Sequence, residues 1–281
     1  MRLLTFGFGY VGAGVAGRAG ARGDAVSAAI RNSDDIERLR DAGVSPVLIG
    51  DRQALEAAVA TAEAILVTAP PGAEGCPGLA ALAPAIARAN AFPSWIGYLS
   101  TTGVYGDRGG RWVDERSPRA ARSVEGARRV AAERDWLQMG RGMGLTVCVF
   151  RLPGIYGPGR SAFERLREGR ARRIVQKGHV FCRIHRDDIV AGVLASIARP
   201  RPGGVYNLVD DEPAPGEAVI EYAAQLLGVE PPSVTTEIPP ASARFYAENR
   251  RVANARAKAE LSWRPAYPTY REGLAAILAG G

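Results

Sequence analysis

Six residues near the N-terminus restrict the fold more than anything else in the chain. They are Gly7-Phe8-Gly9-Tyr10-Val11-Gly12, set between an apolar run, Arg2 to Phe6, and a stretch of small residues, Ala13 to Ala19. The run reads as a strand and the small residues as a helix, so GxGxxG stands at a strand-to-helix turn. There the first glycine permits the tight turn, the second lets a pyrophosphate approach the backbone, and the third lets helix and strand pack closely. The helix N-terminus adds N–H groups and a partial positive charge suited to phosphates. The spacing predicts a nicotinamide dinucleotide bound on a parallel α/β sheet.

Short apolar runs alternate with longer, Ala-rich segments through the first 150 residues, the signature of repeated βαβ units. Strands are expected to begin near Leu3, Ala25, Val47, Ala64, Trp95 and Leu145, with helices over Asp51 to Ala60 and Gly78 to Asn90. Beyond Phe150 the alternation loosens and prolines accumulate, from Pro153 to the cluster between Pro231 and Pro240. The expected fold class is α/β, a Rossmann-type doubly wound parallel sheet with a small C-terminal substrate lobe. Residues 1–150 are read as the dinucleotide-binding core, and 151–281 as completing that core and forming the lobe.

The choice of dinucleotide turns on the end of the second strand, where an acidic residue would hold the ribose hydroxyls of NAD. Here Ala25 to Ile30 runs into Arg31-Asn32-Ser33. A guanidinium and a hydroxyl suit a 2′-phosphate, which predicts NADP in preference to NAD. Read otherwise, Arg31 is a solvated surface arginine, with Asp34 and Asp35 opening the next helix. Asp51, just past the third strand, either accepts from the adenine amino group or caps the helix beginning at Arg52. The cofactor set is Gly7, Gly9, Tyr10, Val11, Gly12, Arg31, Asn32, Ser33, Asp51 and Pro70.

The formal charge of +7 raises the question of a polyanionic partner. The arginines are scattered (Arg18, Arg40, Arg111, Arg167, Arg250), without a block or the aromatic interleaving of single-strand binders, so no nucleic acid is expected. Cys76, Cys148 and Cys182 are widely spaced, which fits reduced thiols in a cytoplasm and gives no metal-binding pattern. The opening Met1-Arg2-Leu3-Leu4 superficially mimics a signal peptide, but five glycines between Gly7 and Gly17 interrupt its apolar segment. No apolar run reaches the roughly 18 residues of a membrane span. A soluble cytoplasmic protein with no membrane partner is expected.

Three stretches carry a resemblance: Tyr98-Leu99-Ser100-Thr101-Thr102-Gly103-Val104-Tyr105-Gly106-Asp107, Arg151-Leu152-Pro153-Gly154-Ile155-Tyr156-Gly157-Pro158-Gly159-Arg160, and Arg183-Ile184-His185-Arg186-Asp187-Asp188-Ile189. With them the chain resembles the NAD-dependent epimerase/dehydratase family, the extended short-chain dehydrogenase/reductases. The glycine loop, Trp112-Val113-Asp114-Glu115 and the tail Leu261-Ser262-Trp263-Arg264-Pro265 look most like an atypical subgroup. The resemblance implies that Thr101, three residues before the Val of the VYG stretch, orients the reacting oxygen. It also implies a YxxxK pair whose Tyr is the acid/base. Aligning Ala131-Ala132-Glu133 with the family's AAE puts Glu125 in the place of that Tyr and Arg129 in the place of the Lys. The tyrosine is missing.

Thr101, Glu125 and Arg129 are therefore the catalytic candidates. A carboxylate, with a reference pKa of about 4.3, needs burial to hold a proton at neutral pH. Arg129 could bind ribose but cannot shuttle a proton as lysine can. Read as an ordinary helix residue, Glu125 faces solvent and pairs with Arg128 or Arg129.

The resemblance places Tyr105 and Tyr156 near the active-site loops, where each is read either as a substrate residue or as a packing residue with a hydrogen-bonded hydroxyl, and gives His185 a structural role. Arg160 and Arg183 are substrate candidates because an arginine fork suits a carboxylate or phosphate. Phe245 to Val252 either lines the substrate site or clasps the lobe. The implied activity is that of an NAD(P)-dependent oxidoreductase or epimerase-like enzyme acting on a small hydroxylated or carbonyl substrate, anionic groups included. The implied assembly is a homodimer packed through Gly78 to Asn90 and Ala121 to Met139. Without YxxxK a second reading stays open, a catalytically silent dinucleotide-binding sensor or scaffold.

Overall fold

A computed structural model describes residues 1–280 of the chain. It divides into two compact units, interleaved in sequence: Met1–Thr101, Val124–Arg151 and Val190–Tyr206 form the first, and Thr102–Ser123, Leu152–Ile189 and the residues from Asn207 onward the second. Residues beyond 150 contribute to both.

The first unit is built on a seven-stranded sheet. β1 (Arg2–Phe6), β2 (Ala25–Ile30), β3 (Ser45–Leu48), β4 (Ala64–Val67) and β5 (Trp95–Thr101) are joined by the strands Val147–Leu152 and Val205–Asn207. From β1 the sheet grows one way through β2 and β3, and the other way through β4, β5, Val147–Leu152 and Val205–Asn207. That reversal makes it doubly wound. Leu3 pairs in parallel with Val26 on one side and Ala64 on the other. Parallel neighbours need crossovers. α1 (Tyr10–Gly20), α2 (Ile36–Asp41), α3 (Arg52–Thr61) and α4 (Pro77–Arg88) supply them between the first five strands.

Each of the six expected strands begins within two residues of its expected start. The seventh, Val205–Asn207, follows Pro200-Arg201-Pro202 and is too short to show a pattern. It is nonetheless packed, since Tyr206 stacks on Phe150 at 6.1 Å between ring centroids and Phe150 on Trp95 at 6.1 Å. The Trp95 indole N–H donates to the Ser196 hydroxyl at 3.1 Å.

α5 (Val124–Met143) is locked to the sheet by a buried ion pair. Arg151 donates from Nε (3.0 Å) and Nη2 (2.8 Å) to the two oxygens of Glu133, and Ser100 donates its hydroxyl to the same carboxylate at 2.6 Å. Both charged side chains lie almost entirely out of water.

The second unit contains three short parallel ladders: Gly154–Tyr156 with Arg183–His185, Arg173–Ile174 with Val234–Thr235, and Trp112–Val113 with Arg251–Val252. An apolar cluster that includes Phe163, Val219, Ile220, Tyr270 and Leu274 packs α6 (Ala162–Arg167) with the helices Gly216–Leu227 and Tyr270–Leu278. Asp188 clasps the tail of the chain. Its carboxylate accepts the N–H groups of Ala266 (2.6 Å) and Tyr267 (3.1 Å), and its carbonyl accepts the Trp263 indole N–H at 3.0 Å.

Cys76, Cys148 and Cys182 are free thiols. Among the described residues no helix is long and apolar enough to cross a membrane, and no group of His, Cys, Asp and Glu could hold a metal ion.

Removing one partner of a buried pair leaves an uncompensated charge. Arg151→Met is expected to lower stability by about 3–5 kcal/mol, read from denaturant unfolding. Ser100→Ala, which keeps the pair, is expected to cost only about 1 kcal/mol.

Candidate functional site

The glycine loop follows β1 directly. Gly7 has φ +101°, and a Cβ there would stand 2.6 Å from Thr68 Oγ1. A Cβ on Gly12 would stand 2.8 Å from the Gly7 carbonyl oxygen. Both positions exclude side chains for reasons internal to the chain. Gly9 is different, because a Cβ built on it would meet nothing within 4 Å. Gly9 is also the N-cap of α1, which has no side-chain cap and no acidic residue in its first turn. Open ground beside the amide end of a helix is what a pyrophosphate needs, so the residues present fit a dinucleotide. Tyr10 and Val11 open the helix, and Pro70 is exposed beyond the end of β4.

The Gly7 N–H donates to the Ala29 carbonyl at 2.9 Å and ties the loop to the end of β2. Arg31, Asn32 and Ser33 follow, all exposed. Asn32 is engaged locally: its side-chain oxygen accepts the Asp34 N–H at 3.2 Å and its amide donates to the Asp34 carboxylate at 2.9 Å, capping the turn Ser33–Asp35. Sequence reasoning missed Arg38. Its guanidinium lies 5.2 Å from the centre of the Phe8 ring, and Nη2 donates to Asp35 at 2.9 Å and to the Phe8 carbonyl at 3.4 Å. The Asp35–Arg38 spacing of three residues was the available signal. Asp51 accepts the Ala54 N–H at 2.9 Å, so the capping role is present.

Thr101 ends β5, half-buried. Arg129, on α5, lies against the same strand: it donates to the Leu99 carbonyl and, at 3.4 Å, to the Tyr98 hydroxyl, with its guanidinium 5.7 Å from the Tyr98 ring. Burial pushes the Tyr98 phenol far above its ordinary range. Thr101 and Arg129 thus share the end of β5, whereas Glu125 stays in the exposed first turn of α5.

Within the second unit, Tyr105 is buried and donates to the Asn207 side-chain oxygen at 2.8 Å. Tyr156 donates to the Thr269 carbonyl at 3.3 Å and meets the buried His185 edge-on at 5.3 Å. Burial raises the Tyr156 phenol and lowers His185, and the Asp187 N–H donates to His185 Nδ1 at 3.2 Å. Arg160 and Arg183 line one cavity of about 410 Å³ together with Tyr156. Two further arginines line it, Arg165 and Arg170, that the motifs did not mark. Within Phe245 to Val252, the Asn249 N–H donates to the Asp107 carboxylate at 2.9 Å and its side-chain oxygen accepts the Val180 N–H at 3.2 Å, a clasp inside the second unit.

Comparison with known proteins places this geometry. A functionally unknown conserved protein from Silicibacter pomeroyi DSS is 42% identical, with 99% of this chain and 98% of that one covered and a TM-score of 0.90. A protein provisionally assigned as an NAD-dependent epimerase/dehydratase, from Methylobacillus flagellatus, is 25% identical over 99% of this chain and 98% of its own, with a TM-score of 0.77. The chain has the fold of the NAD-dependent epimerases and dehydratases and resembles that family. No YxxxK occurs in its sequence, which fits an atypical relative of these enzymes. Protein YeeZ of Escherichia coli K12 is 29% identical, covering 95% of this chain and 96% of YeeZ. No family model matches the chain.

If capping is the work of Asp51, Asp51→Ala is expected to lower stability by about 1 kcal/mol in thermal or denaturant unfolding, and Asp51→Asn to restore most of it. An Asp51→Ala variant of unchanged stability that loses dinucleotide affinity would assign the carboxylate to adenine instead.

Proposed function

We propose that the chain binds a nicotinamide dinucleotide, NADP(H) in preference to NAD(H), on the Gly7–Gly12 loop, and that it catalyses an oxidoreductase or epimerase-like reaction on a small hydroxylated or carbonyl substrate. One observation carries the reading: the open ground at Gly9 beside an uncapped helix N-terminus. The family resemblance supports it, and the Methylobacillus flagellatus relative is described as NAD-dependent. Preference for the 2′-phosphate rests on Arg31, exposed at the end of β2 where a carboxylate would repel it, with Arg38 as a second cation on the adjoining loop.

A bound nicotinamide supplies hydride acceptance and donation. The chain's residues do the rest. The amides at the start of α1 hold the phosphates, and the Thr101 hydroxyl orients the substrate oxygen. Arg129, pinned to the Leu99 carbonyl, steadies the strand end that carries Thr101 and offers its other donors to the nicotinamide ribose. We assign proton exchange to water, since Glu125 is exposed.

That exposure also favours the second reading, a dinucleotide-binding protein without turnover. A screen of NADPH oxidation over a carbonyl panel, run beside a binding titration, separates the two. Binding with no turnover across the panel selects the silent protein.

Calorimetry is expected to find NADPH bound more tightly than NADH, with the order reversed in Arg31→Asp. Equal affinity in the unaltered chain would sink the preference. Gly9→Val is expected to fold normally, because its side chain enters open space, yet to lose the dinucleotide.

For turnover, Thr101→Ala is expected to lower kcat at least about tenfold with cofactor affinity unchanged, because the hydroxyl acts in the reacting complex. Glu125→Gln is expected to leave kcat nearly unchanged. A loss of about 100-fold there would make the glutamate the acid/base.

A further inference from the structure

We propose that the helix Pro240–Tyr246 is a pH-sensitive strap, latched to the second unit by neutral His179 and released when that imidazole takes up a proton. The helix contributes no buried residue, and Phe245 stands exposed on it. Its anchor is Tyr246, half-buried at the C-terminal end. The Tyr246 ring lies 5.2 Å from that of His179 and meets Phe181 edge-on at 5.1 Å, and His179 and Phe181 are themselves 4.6 Å apart. A Cβ built on Gly216 would stand 3.3 Å from the Tyr246 hydroxyl oxygen and 3.4 Å from the Phe181 ring, so the start of the helix Gly216–Leu227 closes over the same cluster.

His179 is the titratable member of the latch. It is 5% exposed, and among the described residues neither ring nitrogen has a hydrogen-bond partner. A neutral imidazole can pack there as an aromatic ring. An imidazolium has two N–H donors and a full charge to satisfy, and it must leave the cluster to reach water. The backbone on either side stays fixed, because Asn249 donates its side-chain amide to the Gly178 carbonyl at 3.0 Å and accepts the Val180 N–H at 3.2 Å. The Asn249 carbonyl in turn accepts the N–H groups of Arg108 and Gly110, both at 2.9 Å. Asn249 therefore serves as the hinge, and release is confined to the helix before it.

The charged groups around the cluster oppose one another. Burial depresses the imidazole below the ordinary histidine range, against the backbone of Glu248 and Tyr246 and the carboxylates of Asp107 and Glu217, which favour its charged form. Two of the acidic side chains are already engaged: Asp107 accepts the N–H groups of Gly109 (3.1 Å) and Asn249 (2.9 Å), and Glu248 accepts from Arg250 at 2.5 Å. Cations oppose a further positive charge. Arg183 lies 5.7 Å from the Phe181 ring, Arg165 and Arg183 both act on the Tyr246 phenol, Arg244 covers Phe245 at 4.7 Å, and Lys177 is exposed two residues before His179. Burial also raises that phenol, so Tyr246 stays neutral while His179 titrates. With the folded value depressed, the latch is complete above the ordinary histidine pKa of about 6.5 and is lost as pH falls below it. Every residue of the device belongs to the second unit, so it stands whether or not the glycine loop binds a dinucleotide.

The test is hydrogen exchange on the full chain at pH 7.5 and 5.0, read by mass spectrometry and corrected for intrinsic exchange rates. Amides of residues 241–247 are expected to exchange at least about threefold faster at pH 5.0, with those of the helix Gly216–Leu227 little changed. His179→Phe keeps an aromatic ring in the cluster but removes the proton site, and is expected to abolish the pH dependence. Tyr246→Ala is expected to free the strap at both pH values. The chain has two histidines, so the imidazole NMR signal missing from His179→Phe identifies His179, and in the unaltered chain that signal is expected to titrate below about 6.5.

Three outcomes overturn the proposal. One is equal corrected exchange of the strap at both pH values in the unaltered chain. Another is an acid-induced rise that survives in His179→Phe, which would give the effect to a different group. The third is a His179 signal that titrates at or above the ordinary value. The first and third are read on the unaltered chain, and they decide the matter even if His179→Phe fails to fold.

Discussion

The buried pair of Glu133 and Arg151 sets the geometry on which the proposed chemistry of the first unit depends. It joins α5 to the strand Val147–Leu152, and through the Ser100 hydroxyl it reaches the residue before Thr101. Glu133 and Arg129 lie one helical turn apart on α5, so the rotation that buries the carboxylate also turns Arg129 onto β5. A sliding of α5 along the sheet would strand a charge in the apolar interior, at a cost of several kcal/mol. The pair therefore acts less as a source of stability than as a stop that permits one register.

Arginine is used throughout as a backbone tether. Arg2 Nε donates to the Thr61 carbonyl at 2.6 Å, Arg250 to the Gly106 carbonyl at 2.9 Å, and Arg108 and Arg251 to the carbonyls of Pro118 and Gly110. A guanidinium carries five donors in a fixed fork, so it can satisfy loop carbonyls and remain charged. Much of a basic excess that would otherwise suggest a polyanionic partner is thus occupied in holding irregular chain.

The glycine loop and six of the seven sheet strands were legible because they rest on local chemistry: a turn only glycine can make, and apolar runs such as Ala64–Val67 that parallel sheets bury on both faces. Asn32 and Asp51 were ambiguous because capping and ligand binding ask the same of a short polar side chain. The strand Val205–Asn207 escaped because its identity lies in its neighbours, through Tyr206 on Phe150. The role of Glu133 escaped for the same reason, since its partner sits 18 residues on. Tyr105, placed near the active-site loops by its motif, finds Asn207 at a separation of 102 residues.

Trp95 enters the sheet early in the chain, yet its indole N–H meets its acceptor, Ser196, only 101 residues later. As the polypeptide leaves the ribosome, β1 to β5 can assemble while that buried donor is still unsatisfied and Tyr206 has yet to emerge. A nascent chain arrested before Ser196 would expose the aromatic flank of its sheet. The first unit, though it opens the sequence, can therefore become fully native only after Tyr206 has emerged.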